Sequence, residues 1–253
     1  MTIPRKKLIA ANWKMQKLIA EAETFGAGLK AALGSMPDRD LLVFPPFLAL
    51  PATARIFEGT RVAVGAQDLF WEKQGAFTGE ISGDMIMEAG GTHVIVGHSE
   101  RRHVMGESND IVTKKLESAM RCGLTAVFCV GERLEDREAG QAEDYVRGQL
   151  ASAFTGVSRG EMSSIVIAYE PVWAIGTGKT ATAQDAEHMH RFIRGYVSQS
   201  VDEDAAEEIR VLYGGSVKPD NASSLLQRSE IDGVLIGGAS LDLDSYMRIA
   251  CCD

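Results

Sequence analysis

The chain of 253 residues has only four cysteines, Cys122, Cys129, Cys251 and Cys252, and their spacing follows no regular pattern. That scarcity excludes a disulfide framework and a cysteine-based zinc site, and it points to a reducing compartment. Cys251 and Cys252 are chain neighbours, too close to bridge without strain, and Cys129 reads as a buried strand residue. No Gly/Ser tract or composition break marks a linker. Long apolar runs are missing as well. Arg5, Lys6 and Lys7 precede only the short stretch Leu8 to Ala11, too little for a signal h-region or a membrane span, so a cytoplasmic protein with no membrane partner is expected. Basic residues are outnumbered, 26 against 35 acidic, for a net charge of -9. Such a balance argues against nucleic acid or an anionic membrane as a main partner.

An apolar fraction of 45% can fill a large core. Short apolar runs recur at Leu8 to Ala10, Leu41 to Phe44, Val62 to Val64, Val94 to Val96, Ala126 to Phe128, Ile165 to Ile167, Val211 to Tyr213 and Val234 to Ile236. Amphipathic stretches lie between them, among them Ala20 to Leu33, Ile111 to Arg121, Tyr145 to Phe154 and Ala183 to Val197. Alternation of this kind demands a parallel sheet with crossover helices. Eight units without a break fit one closed α/β barrel over residues 1–253 better than two doubly wound halves, although periodicity alone does not exclude an open sheet.

The stretch from Ile165 to Thr180 carries the clearest chemical signal. Its apolar start reads as a strand buried on both faces, and Pro171 keeps Glu170 out of the α region, so the carboxylate sits at the strand's end. Pro171 and Trp173 make a stiff beginning to a loop, and Gly176 and Gly178 supply a pliable tip, which together describe a lid. A Glu-Pro pair alone is an ordinary strand terminus; the flanking pattern is what singles it out. Other polar residues and glycines also fall at strand ends: Asn12 and Lys14, His98, Gly214 to Ser216, and Gly237 with Gly238. In a barrel all of these would share the C-terminal face, where such enzymes build their sites.

Tyr169 to Ala181 resembles the base and closing loop of the triosephosphate isomerase family. The likeness continues in Ala11-Asn12-Trp13-Lys14-Met15, Val96-Gly97-His98-Ser99-Glu100-Arg101-Arg102, Cys129-Val130-Gly131-Glu132, Tyr213-Gly214-Gly215-Ser216-Val217 and Gly237-Gly238-Ala239-Ser240-Leu241. It spans nearly the whole chain, and it implies an eight-stranded parallel (β/α)8 TIM barrel. The implied reaction interconverts dihydroxyacetone phosphate and glyceraldehyde 3-phosphate through an enediolate, a step of glycolysis and gluconeogenesis. Carried onto these positions, the resemblance makes Glu170 the base and sets His98 and Lys14 against the substrate oxygens. A helix beginning at Ser99 would disfavour imidazolium at His98. Lys14, two residues past Asn12 on an extended segment, would share its side of the pocket, with Asn12 orienting donors and Glu100 as the lysine's partner.

Phosphate would rest mainly on backbone amides of Gly176, Ser216, Gly237 and Gly238, the last pair preceding a helix expected to begin near Ser240. The aromatic stretch Phe70 to Glu80 resembles the family's dimer arm, and Thr78 would reach a neighbouring subunit's site to brace Asn12. A homodimer is thus implied, and no cofactor or metal. His93, His103, His188 and His190 are dispersed and read as structural or exposed. Two residues depart from the family pattern near the expected interface: Gln16 and Asp68 stand where Asn is usual. A related isomerase of four-carbon ketose phosphates would need a roomier lid, and a non-catalytic binder would have lost Glu170 or Lys14.

Overall fold

Eight parallel strands close on themselves in chain order, the last pairing back onto the first. They are β1 (Leu8–Asn12), β2 (Asp40–Phe44), β3 (Val62–Ala66), β4 (His93–Val96), β5 (Thr125–Val130), β6 (Ile165–Tyr169), β7 (Val211–Tyr213) and β8 (Gly233–Ile236). The computed structural model describes residues 5–175 and 181–252. Side chains alternate across each strand. Leu8, Ala10, Leu42, Phe44, Ile95, Val127, Cys129, Val166, Ala168, Leu212 and Leu235 pack together as one cluster that fills the barrel. Their chain neighbours, such as Ile9, Leu41, Val94, Ile167 and Val211, belong to the larger cluster between strands and helices. Apolar residues at successive positions are therefore what a strand buried on both faces requires.

The surrounding helices are α1 (Ile19–Ala32), α2 (Leu50–Phe57), α3 (Gly83–Glu88), α4 (Ser99–His103), α5 (Asn109–Cys122), α6 (Leu134–Glu138), α7 (Ala142–Phe154), α8 (Arg159–Met162), α9 (Ala183–Ser200), α10 (Glu203–Glu208), α11 (Pro219–Leu226) and α12 (Leu243–Cys251). The four long amphipathic stretches of the sequence are α1, α5, α7 and α9. The last helix begins later than Ser240. Residues Gly238–Ser240 form a 3-10 turn in which the Ser240 hydroxyl donates to the carbonyls of Ile236 and Gly237. Asp242 then caps α12 by accepting from the Ser245 amide at 2.9 Å.

Asp68, one of the departures from the family pattern, lies in a buried ionic cluster. The Lys115 ammonium of α5 donates to both Asp68 carboxylate oxygens, at 2.6 and 2.8 Å, and to Glu107 at 2.6 Å, while Arg101 of α4 reaches Asp68 at 3.0 Å. Two carboxylates and two cations balance, and burial pushes the Asp68 carboxyl up against the lowering pull of Lys115. Lys115→Met would leave two buried carboxylates sharing the single Arg101 guanidinium, and an expected loss of about 3 to 5 kcal/mol follows. Urea unfolding would measure it, and an unchanged midpoint would contradict the pairing.

His190 of α9 is fully buried; its Nδ1 donates to the Glu230 carbonyl at 3.2 Å, and its Nε2 finds no hydrogen-bond partner among the described residues. Burial pushes its imidazole down to about 4, from 6.5. The unfolded chain therefore binds a proton that the folded chain refuses between these values. The stabilisation is complete above about pH 6.5 and shrinks as pH falls toward 4. The urea midpoint should accordingly drop over that window, and less steeply for His190→Gln; parallel slopes would contradict a neutral buried histidine.

Candidate active site

Strand β1 delivers Asn12 to the C-terminal mouth of the barrel, and the chain then turns sharply. Lys14 has φ of 52°, a left-handed conformation unfavourable for a residue with a side chain. It is held there from both sides. Its amide donates to Asn12 Oδ1 at 3.0 Å, and its carbonyl accepts from Gln67 Nε2 at 2.8 Å, an amide that also donates to the Phe44 carbonyl. Asn12 and Lys14 thus meet in one cavity through a turn, whereas sequence spacing suggests an extended segment. The Lys14 ammonium is 2.6 Å from Glu100 Oε1.

Strand β4 ends at Val96, Gly97 takes φ of 71°, and His98 caps α4 by accepting the Glu100 amide on Nδ1 at 3.2 Å. The other ring nitrogen, Nε2, is 3.1 Å from Glu170 Oε1. Helix α4 is a single short turn, so this specific hydrogen bond, more than a long helix dipole, orients the ring.

Glu170 follows β6 directly and is only 2% exposed. Besides His98, Ser99 serves its carboxylate twice, through the amide at 2.9 Å to Oε2 and the hydroxyl at 3.0 Å to Oε1. Three donors satisfy this buried carboxylate. A Cβ on Gly131 would overlap the Glu170 carbonyl, and one on Gly214 would approach its Cγ to 2.9 Å, so glycine at both positions makes room for the acid. Sequence reasoning gave Ser99 and Gln67 no part in the site. The signal for Ser99 was its place as the first residue of α4, immediately after His98.

Asn12, Lys14, His98, Ser99, Glu100 and Glu170 line one cavity of about 840 Å³, together with Gly214, Gly215, Ser216, Gly237 and Gly238. A Cβ on Gly237 would lie 3.2 Å from Cε of Lys14, so the last glycine turn rests directly against the lysine stem. Lys218 and Arg248 join the lining as further cations. The cavity can therefore hold a small anion between an acid with an imidazole and two glycine turns. Gly176 lies outside the described residues. Thr78 is exposed on its arm and is not part of the cavity lining of this chain. On the arm, Phe70 stacks on Trp71 with centroids 4.0 Å apart and meets Phe77 at 4.6 Å.

Trp173, at the base of the expected lid, donates from Nε1 to Glu132 at 2.8 Å. Glu132 is completely buried, accepts the Tyr169 hydroxyl as well, and has its carboxyl pushed up by burial. The Arg137 guanidinium lies 4.6 Å from the Trp173 ring. This part of the loop is thus anchored by an aromatic residue, as its stiffness in sequence implied.

Comparison with known proteins gives a consistent result. A family model described as Triosephosphate isomerase matches residues 7–252. The Triosephosphate isomerase of Geotalea uraniireducens (strain Rf4) is 46% identical over 245 residues, which cover 97% of this chain and 98% of the relative. That of Roseiflexus sp. (strain RS-1) is 49% identical, with 97% and 96% covered. The corresponding protein of Chloroflexus aurantiacus (strain ATCC 29366 / DSM 635 / J-10-fl) is 48% identical over 249 residues, 98% of each chain.

Proposed function

The chain belongs to the triosephosphate isomerase family, and from that premise we propose a mechanism in which Glu170 moves the carbon-bound proton and His98 and Lys14 serve the oxygens. The protein is an isomerase that interconverts triose phosphates. A proton on carbon beside a carbonyl is a weak acid, so the base needs fixed donors where negative charge develops. The observation that carries the reading is the convergence of Glu170, His98 and Lys14 on one cavity.

In this reading Glu170 is a carboxylate, since the three groups that meet it, two from Ser99 and one from His98, all donate. Because the Glu100 amide can only donate, Nδ1 of His98 must accept, which leaves the proton on Nε2 and the ring neutral. A neutral imidazole then donates to the carbonyl oxygen and relays a proton between the two oxygens of an enediolate. Proton abstraction requires Glu170 to exchange at least one Ser99 hydrogen bond for the substrate carbon. Lys14 stabilises the enediolate and the phosphate charge, Glu100 is its ion-pair partner, and Asn12 supports its backbone. Phosphate sits on the amides of Gly176, Ser216, Gly237 and Gly238, so that a net negative chain captures an anion locally. Every step is a proton transfer, so the mechanism calls for no cofactor.

The proposal includes a homodimer. Met15, directly after Lys14, is 94% exposed, and Leu48 is 87% exposed. A second copy would cover these residues, and its Thr78 would reach the cavity beside Asn12. The test of substrate is turnover of glyceraldehyde 3-phosphate, coupled to a dehydrogenase that consumes dihydroxyacetone phosphate, set against a four-carbon ketose phosphate. Strong preference for the triose is expected; equal or better use of the four-carbon sugar would overturn it.

A further inference from the structure

Lys17 breaks two local rules. It has φ of 71°, in the left-handed region that favours glycine. It also places a cation just before α1, whose N-cap is Leu18, where the helix dipole is positive. A residue that is wrong twice for its backbone position is held there by something its side chain does. The ammonium of Lys17 donates to the Leu241 carbonyl at 2.7 Å. It lies 5.3 Å from the centroid of Trp13 and 5.0 Å from that of Phe25, two rings packed edge to face.

These contacts join two loops that both face the cavity. Trp13 and Lys17 bracket the turn that holds Lys14 in its own left-handed conformation. Leu241 closes the turn that starts at Gly237, and its amide donates to the Gly238 carbonyl at 3.1 Å. The Lys14 stem already rests on Gly237. From these contacts we propose that Lys17 is a positioning residue, a strap that sets the separation between the Lys14 ammonium and the anion-binding amides at Gly237 and Gly238. The strap touches no substrate. It acts by fixing two groups that must grip one phosphate simultaneously, and it rests on the phosphate site proposed above.

Lys17→Gly tests this, because glycine relieves both local penalties while it removes the strap. Lys17→Met keeps the stem without the charge, and Lys17→Arg restores a donor over the rings. Inorganic phosphate binding, read by calorimetry, and KM for glyceraldehyde 3-phosphate are compared with thermal melting. The expected result is a melting temperature for Lys17→Gly at or above that of the parent. Phosphate affinity should weaken and KM rise by roughly tenfold in both neutral variants, with kcat less affected and partial recovery in Lys17→Arg. Unchanged phosphate affinity in a folded Lys17→Gly or Lys17→Met protein would overturn the proposal, as would a parent protein that binds no phosphate. Failure of triose phosphate turnover would instead count against the proposed reaction, since the phosphate titration needs no turnover.

Discussion

Replacing Glu170 with Gln is expected to cut kcat/KM for glyceraldehyde 3-phosphate by roughly 10²- to 10⁴-fold. The amide has nearly the carboxylate's shape but cannot accept the proton. It would also turn a donor toward a pocket of donors, since the Ser99 amide, the Ser99 hydroxyl and His98 Nε2 all surround the carboxylate. That mismatch costs about 1 to 3 kcal/mol locally. Glu170→Asp keeps the charge but retracts it by one methylene, and a loss of roughly 10²-fold is expected from the displaced geometry alone. Steady-state kinetics on both variants would separate proton acceptance from placement. Full activity in either one would remove Glu170 from the role of base.

Lys14→Met is expected to lower kcat/KM by roughly 10²- to 10³-fold, as loss of a positioned charge facing the enediolate should. The variant keeps an aliphatic stem against Gly237. It frees Glu100, whose side chain is 48% exposed, so water can replace the lost partner at little cost to the fold. Unfolding and activity thus separate: circular dichroism should report an intact barrel alongside crippled turnover. Normal turnover by the folded variant would refute the electrostatic role.

The barrel was legible in the sequence because each strand is buried on both faces, which leaves a compact apolar run such as Ile165 to Ile167 with nothing polar to interrupt it. Helices α5 and α9 were legible for the opposite reason, a long one-sided pattern. Helix α4 has five residues, Ser99–His103, too few to display a period. Asn12, Lys14, His98 and Glu170, which line the cavity, could be named from the motifs, yet their supports could not. Gln67 meets Lys14 only because β2 pairs with both β1 and β3 and so brings the two strand ends to the same mouth, and sequence adjacency carries no trace of that. Ser99 was visible as a helix start, but its two hydrogen bonds to Glu170 depend on the closure of β4 and β6 around the barrel. The ionic cluster likewise brings Asp68 against Lys115, 47 residues further along the chain.

The left-handed turns at Lys14 and Lys17 could not be anticipated from composition, because neither residue is glycine. Extended spacing gave the right destination for the Lys14 side chain by a route the backbone does not take. Local preference yields here to hydrogen bonds from Asn12 at the end of β1 and from two other loops, those of Gln67 and Leu241.

Isomerisation of glyceraldehyde 3-phosphate in deuterium oxide, followed by magnetic resonance of the dihydroxyacetone phosphate formed, tests the proton-transfer mechanism most directly. If Glu170 carries the proton between carbons through an enediolate, the carboxyl exchanges with solvent. Deuterium should then appear on the terminal hydroxymethyl carbon beside the new carbonyl, and the Glu170→Gln protein should form almost none of this product. Product formed rapidly and free of deuterium would mean a direct hydride shift, and label appearing equally fast with Glu170→Gln would mean that another group is the base.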